Sequence, residues 1–373
     1  MNIRIQEFRK FEIPNILNDE MVWNHSFLIG TKHRLLAHYK NPKSNDDDIA
    51  LLVAYIDAQI VGYMGVYIDY IHIGDKAEKI GWLSTWWLHK SSAGKGIGKE
   101  MLKKMYELND GRIGISQFTP SAKRVYDKSG FFNYLKKLVG CKIDLRLNLE
   151  YLLPAYKESL RKYTWLFRTI DTTFNVVNEF KLKMVYSSYK KSMKNYSIDY
   201  LTHIDSKMAS FLQEKQHKNL TKRDADFFQF IKTYQWIEEA PLVDFVTNKK
   251  KYFFSDYNKN FNIYLVKVED KEANIVGFIC LLRKDAELKV LQIFYLEGMH
   301  SLMAKLVIMH GIKLGTRTII TYDENLTKEF KRLKSARIRF KKKDRESIVS
   351  KIYGEINSEE FNFQYGDGDC SFA

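Results

Sequence analysis

The sequence predicts an α/β (α+β) fold made of two mixed-sheet domains joined by a helical connector. Three observations carry that expectation. An apolar and aromatic run with β-branched members, Ile80–Leu88, feeds a glycine-rich turn and then an amphipathic helix. The middle of the chain carries a stripe of apolar residues at alternating spacings of 3 and 4. The last third repeats the order of strands and helices of the first. The expected division is residues 1-148, residues 149-240 as the connector, and residues 241-373.

The elements follow in order. Residues 2–8 read as a first strand, and amphipathic stretches from Asn18 to Tyr39 as the helices after it. Asn41-Pro-Lys-Ser-Asn-Asp-Asp-Asp48 is a loop by composition. Leu51–Ile56 and Ile60–Ile68 are strands joined by a turn at Asp57-Ala58-Gln59, and Ile80–Leu88 is the central strand. Gly94-Lys-Gly-Ile-Gly98 then opens a helix whose Met101, Leu102, Met105 and Leu108 share one face. Arg112–Phe118 is a short strand. Thr119 and Pro120 make an N-cap and first turn, with Gly130 as the stop of that helix. Phe131–Arg146 supplies closing strands.

In the connector, Leu153, Tyr156, Leu160, Tyr163, Phe167, Ile170, Phe174 and Val177 mark a long helix with one buried face, read as packed on its own domains rather than as a coiled-coil seam. Helices continue at Ile204–Leu212 and Arg223–Trp236. In the last third, Tyr264–Val268 and Ile275–Leu282 are paired strands, with Gly277 echoing Gly62, and Leu288–Leu296 is the central-strand counterpart. A helix bearing Leu302, Leu306 and Met309, a strand at Thr316–Tyr322 and a helix at Leu326–Leu333 complete the copy. Its strand-to-helix turn is Glu297-Gly-Met-His300, with an acid in place of the glycine triplet.

Composition narrows the function classes. At 373 residues, 45% hydrophobic and 14% aromatic, the chain has enough apolar surface for two packed cores, which excludes a disordered protein. Cys141, Cys280 and Cys370 are too scattered for a disulfide framework or a metal site, so a cytoplasmic protein without a metal is expected. The N-terminus reads as a strand rather than a signal peptide, and no run of about 18 apolar residues predicts a membrane span. The net charge is +15, from 60 basic and 45 acidic residues, in a chain also rich in Asn, Ile and Tyr. Ten of the basic residues lie between Lys328 and Arg345, where Arg337-Ile-Arg-Phe-Lys341 alternates as a solvated strand face does. No nucleic-acid partner is expected, and the field suits a small polyanion equally well.

The turn after the central strand is the chemically informative stretch. The first amides of a helix have no intrahelical acceptor, the helix dipole is positive there, and glycines let a phosphate approach the backbone. The G-x-G-x-G spacing of Gly94, Gly96 and Gly98 is not the G-x-G-x-x-G of a dinucleotide fold. Gly98-Lys99-Glu100 is not a Walker loop either.

Following the central strand, Gly94-Lys-Gly-Ile-Gly98 resembles the pyrophosphate loop of the GNAT superfamily of N-acetyltransferases, written Q/R-x-x-G-x-G/A. Ala122, Tyr126, Lys128, Gly130 and Phe131 match the family's later motif N-x-x-A-x-x-x-Y-x-K-x-G-F. The chain departs from the pattern in two places: no Gln or Arg stands near Ser91 or Ala93, and Thr119 replaces Asn. The resemblance covers about the first 150 residues, and the last third looks like a second GNAT domain that has lost its coenzyme loop.

The resemblance implies acetyl-CoA as co-substrate, held at Ala93, Gly94, Lys95, Gly96, Ile97, Gly98 and Lys99. The thioester carbonyl would be polarised by the backbone at Leu88, and Tyr126 would protonate the departing thiolate. Glu78, His72 and His89 are the candidate bases, with Glu78 taken first. The acceptor is expected to be a small-molecule amine, such as an amino sugar or nucleotide-linked sugar. Alternatives are a Fem-like tandem aminoacyl transferase and an acyl-CoA-binding protein whose catalytic groups have decayed.

Overall fold

The computed structural model describes residues 2–25, 27–240 and 252–372. It is a mixed α/β structure, as the sequence predicts, organised as two compact units. Unit 1 holds residues 1–137, 203–259 and 345–373; unit 2 holds residues 138–202 and 260–344. The units are therefore discontinuous in sequence, and neither follows the linear division at residues 148 and 240. The expected start of the third segment, Pro241, lies outside the described residues.

The sheet of unit 1 is built from β1 (Ile3–Arg9), β2 (Ile49–Ile56), β3 (Gln59–Ile73), β4 (Lys76–Leu88), β5 (Ile113–Ile115) and the distal part of β14 (Arg339–Ser350), in that order. Neighbours are antiparallel except β4 and β5, which run parallel. A parallel neighbour needs a crossover, and α4 (Ile97–Leu108) supplies it. Both faces are covered. Leu52 and Ala54 pack with Met101, Leu102 and Met105 of α4, while Leu51 and Val53 pack with Ile13, Leu35 and Tyr63 on the other face. The alternation along β2 is the period of two that a strand imposes. The early helices, α1 (Ile13–Asn18), α2 (Glu20–Trp23) and α3 (Lys32–Tyr39), all reach that second face, α2 through Val22 and Trp23.

Helix α5 (Pro120–Ser129) begins where expected. The Thr119 hydroxyl accepts from the amide of Ala122, and Gly130 closes the helix in the left-handed region at φ 72°. β6 (Phe132–Asp144) starts in unit 1 and ends in unit 2.

Unit 1 takes in the later helices α8 (Ser206–Lys215) and α9 (Ala225–Thr233), and a buried ion network ties these segments together. Arg223, with no exposed surface, donates to Asp69 at 2.7 Å and lies 3.6 Å from Asp367. Lys43 reaches Asp69 at 2.6 Å, and the Thr221 hydroxyl donates to Asp367 at 2.5 Å.

Unit 2 repeats the plan. Its sheet includes β7 (Ser197–Leu201), β10 (Phe261–Glu269), β11 (Ile275–Lys284), β12 (Glu287–Tyr295), β13 (Thr318–Thr321) and residues 141–144 of β6, antiparallel throughout except β12 with β13. A short pair, β8 (Glu238–Glu239) with β9 (Tyr257–Asn258), stands apart in unit 1. Helices α10 (His300–Lys313) and α11 (Glu324–Arg332) take the places of α4 and α5. Gly277 and Gly62 mark the same close approach: a Cβ at Gly277 would sit 2.6 Å from Met303 of α10, and one at Gly62 would sit 3.5 Å from Met101 of α4.

The connector is not purely helical. It contains α6 (Leu149–Tyr156) and α7 (Thr164–Ser192), but also β7, the edge strand of unit 2's sheet. The apolar stripe is also turned the other way from the expectation. Val177 is 69% exposed and Tyr156 88%, with Ile170 and Phe174 exposed as well. The buried face of α7 is Asp171, Asn178, Leu182, Val185 and Tyr189. Its polar members are anchored to backbone: Asp171 accepts from the amides of Leu149 and Glu150, and the Asn178 amide donates to the Leu145 carbonyl. A hydropathy stripe cannot register a face held by such bonds. No helix among the described residues is long and apolar enough to cross a membrane.

Candidate active site

The site grows out of β4. Its hydrogen bonding to β5 is confined to Gly81 opposite Ile113 and Trp82 opposite Gly114, yet β4 runs on to Leu88. Opposite Tyr63 and Gly65 of β3 stand Trp87 and Ser84, so β4 carries one residue more over that interval. Thr85 has φ 48°, a left-handed value rare for a β-branched residue, and marks the bulge. Past it the two parallel strands part and leave a cleft of about 350 Å³, lined by Ser84, Trp86 and Leu88 on one side and by Gln117, Phe118 and Tyr126 on the other.

Of the residues lining the cleft, Ser84 and Trp86 each bury a polar atom, Oγ and Nε1, that has no hydrogen-bond partner among the described residues. The glycine turn lies at the far end of β4. His89 caps a short 3₁₀ turn, Lys90–Ser92, its Nδ1 accepting from the Ser91 amide and lying 2.8 Å from the Ser91 hydroxyl. The amides of Ala93 and Lys95 bond back to Lys90 and Ser92. Gly94 and Gly96 both have φ 74°, and a Cβ on either would meet nothing within 4 Å. Gly96 is the N-cap of α4, with no side-chain cap, so the first amides of this 12-residue helix have no acceptor within the helix. Gly98 serves packing instead: a Cβ there would come within 2.8 Å of Leu88 and 3.2 Å of Trp86. The chemistry of the turn, a glycine-rich helix N-terminus, suits an anionic group such as a phosphate.

Tyr126 sits on α5 facing the cleft, 4% exposed, its ring 5.5 Å from that of Trp86. Burial, aided by the Asp369 carboxylate, raises its phenol above the ordinary range and keeps it protonated. The structure thus brings Tyr126, Leu88 and the glycine turn to one side of unit 1. Glu78 is not among them. It lies on β4 seven residues before Thr85, roughly 23 Å at about 3.3 Å per residue, and His72, opposite Ala77, shares that remote end. His89 is near, but its ring caps the turn.

One carboxylate in the cleft carries no sequence signal. Asp369 opens a 3₁₀ turn, Gly368–Phe372, and lines the cleft with Tyr126. It accepts from the Ser116 hydroxyl just past β5. Gly368 makes this possible, at φ 69° and with a hypothetical Cβ only 2.6 Å from Ser116. Arg345 pins the arm, donating to the carbonyls of Ser116 at 2.7 Å and Tyr365 at 2.9 Å. Burial raises the Asp369 carboxyl above the usual range, against the pull of Ser116 and the guanidinium groups of Arg345 and Arg34. Its bond to Ser116 spans 253 positions of sequence, which no local motif records. Among the described residues no three His, Cys, Asp or Glu side chains cluster as metal ligands.

Comparison with known proteins agrees with this geometry. Residues 12–131 match the acetyltransferase (GNAT) family. Solved structures of similar fold include N-myristoyltransferase of Saccharomyces cerevisiae with bound myristoyl-CoA, at 9% identity over 94% of this chain and 79% of that one, TM-score 0.52. A tandem GNAT protein from the clavulanic acid biosynthesis pathway aligns at 9% identity over 94% and 98%, TM-score 0.49. A putative acetyltransferase of Pyrococcus horikoshii aligns at 12% over 100% and 96%, TM-score 0.48. A search of curated protein sequences returns no match. The parted strands, the open glycine turn and the matched segment coincide, and residues 12–131 are a domain of the GNAT acetyltransferase family.

Proposed function

We propose that the protein is an acetyl-CoA-dependent N-acyltransferase acting on the amine of a small molecule, with unit 1 holding the coenzyme. The observation that carries this reading is the parting of β4 from β5 past the bulge at Thr85, which opens a cleft whose wall residue Leu88 packs at Gly98 in the first turn of α4. The coenzyme supplies an acyl group as a thioester. Amides of Gly96, Ile97, Gly98 and Lys99 hold its pyrophosphate, and Lys95 and Lys99 stand exposed beside it.

The chain's own groups divide the remaining work. Backbone of β4 between the bulge and Leu88 polarises the carbonyl. Asp369 takes the proton from the attacking amine, a role suited to a carboxyl whose burial raises its basicity. As the new C–N bond forms and the C–S bond breaks, Tyr126 gives its proton to the leaving sulfur and recovers one from Asp369 or solvent. An amino sugar or nucleotide-linked sugar remains the proposed acceptor class. The test is thiol release from acetyl-CoA across a panel of amines of these classes, alongside coenzyme titration. Tight coenzyme binding with no amine-dependent thiol release would leave an acyl-CoA-binding protein in place of an enzyme.

A further inference from the structure

We propose that unit 2 carries a second binding site, for a phosphorylated aromatic ligand of the nucleotide class, in a cavity formed by the end of α7, by β7 and by α10. The cavity measures about 600 Å³, within the range of small-molecule sites. It lies against the distal half of α10, whereas the turn corresponding to the coenzyme loop, at Glu297–Met299, precedes that helix. It is therefore not a vestige of a second coenzyme loop.

Its walls are apolar and aromatic. Tyr186 of α7, Tyr196, and Tyr200 of β7 line it, with Leu306 and Met309 of α10 as the floor. Strand alternation explains the selection: Ile198 and Tyr200 turn inward, while Asp199 between them points away and pairs with Lys267. The Tyr200 ring is fixed by chemistry. His310 places Nδ1 2.8 Å from the Leu306 carbonyl, so that nitrogen carries the hydrogen. Nε2 then accepts from the Tyr200 hydroxyl at 2.8 Å. Burial lowers the His310 pKa and keeps it in this neutral form.

The rim is cationic. Lys190, Lys191 and Lys194 at the end of α7 and Lys313 at the end of α10 border the cavity, no acidic residue lines it, and none of the four makes an ion pair among the described residues. Four uncompensated ammonium groups suit a phosphoryl ligand of nearly two charges each better than a single carboxylate. The tyrosine walls call for a flat, aromatic partner.

The experiment is calorimetric titration of the full chain with ADP. ADP could also enter the glycine turn of unit 1, so three proteins are compared: the unaltered chain, Gly96→Glu, and the double variant Lys190→Ala/Lys194→Ala. The expected result is ADP binding that survives Gly96→Glu and weakens at least about tenfold in the lysine variant, about 1.4 kcal/mol. Tyr200→Ala, at a half-exposed position, should weaken it similarly. Loss in Gly96→Glu with retention in the lysine variant would assign ADP to unit 1 and overturn the proposal. So would pyrophosphate binding as tightly as ADP, which removes the aromatic part, or myristate binding in preference to both. An absence of ADP binding at millimolar concentration overturns it outright. None of these outcomes depends on acyl transfer by unit 1.

Discussion

Replacing Asp369 with asparagine separates catalysis from stability. An amide keeps the shape and can still accept from the Ser116 hydroxyl, so the turn at Gly368–Phe372 and its Arg345 clamp stay in place. What the change removes is the proposed base. A positioned general base contributes between about a hundredfold and ten thousandfold, and kcat should fall by that factor while coenzyme affinity changes little. Stability should move the other way. Because burial raises the folded-state pKa of Asp369 above the unfolded value of about 3.9, its neutral form is favoured in the fold. The stabilisation is full below the unfolded pKa and is lost as pH rises through the folded one, so at neutral pH the fold carries the cost of burying an acid that is ionised in the unfolded chain. The neutral amide carries no such burden, so thermal unfolding of the variant at pH 7 should occur at the same temperature or higher. The acid limb of the kcat/KM profile should lie above the ordinary carboxylate range and vanish in the variant. A rate within about threefold of the unaltered enzyme, or an acid limb that persists, would refute the assignment.

Gly96→Glu places a β-carbon at φ 74° and a negative charge at the open end of α4, and calorimetry should show coenzyme binding abolished. Tyr126→Phe should lower turnover with near-constant coenzyme affinity, read by steady-state kinetics beside direct titration; equal turnover would return Tyr126 to a packing role. Asp69→Asn leaves Arg223 buried with only Asp367 nearby and should cost about 3 kcal/mol in chemical denaturation at neutral pH. Burial alone would raise the Asp69 pKa, but Arg223 and Lys43 more than offset it and hold it low. That stabilisation is therefore present above the unfolded value and lost as pH falls through the folded one, so the variant should show a flatter acid dependence.

Local chemistry is legible in the sequence. Thr119, Pro120 and Gly130 predict a helix start and stop that depend only on neighbours within the same turn, and each is found as expected. The left-handed glycines ahead of α4 and the repeated strand plan of the last third are readable for the same reason. Features made by distant pairing are not. Strand β7 is five residues long and joins an edge through partners over 60 positions away, so the helical periodicity around it dominates. The bulge at Thr85 follows from the register with β3, and Asp369 reaches the cleft only because Gly368 and Arg345 allow it. From sequence Glu78 looks like a base because it stands just before the central strand, yet it lies near the start of β4 and a strand separates its own ends by its length.

The composition of unit 1 bears directly on where the proposed activity would reside. The first 148 residues contain the glycine turn, Tyr126 and the parted strands, and from sequence they look sufficient to bind the coenzyme though not to serve the acceptor. Yet Ile115 and Gly114 of β5 pair with Ile348 and Val349 of β14, and Asp69 is neutralised by Arg223 from a third segment. A chain ending at residue 150 would expose the far edge of β5, leave Asp69 with Lys43 alone, and lack Asp369 altogether. Removing residues 345–373 from the full chain isolates the effect of the tail. It deletes the β14 pairing, the Arg345 clamp and the proposed base, and the Asp367 partner of Thr221 and Arg223 with them. The expected outcome is loss of cooperative unfolding in unit 1 and of coenzyme binding together, measured by calorimetric melting and titration. If the shortened protein bound coenzyme and transferred acyl groups at the full rate, neither Asp369 nor the discontinuous unit could be what builds the site.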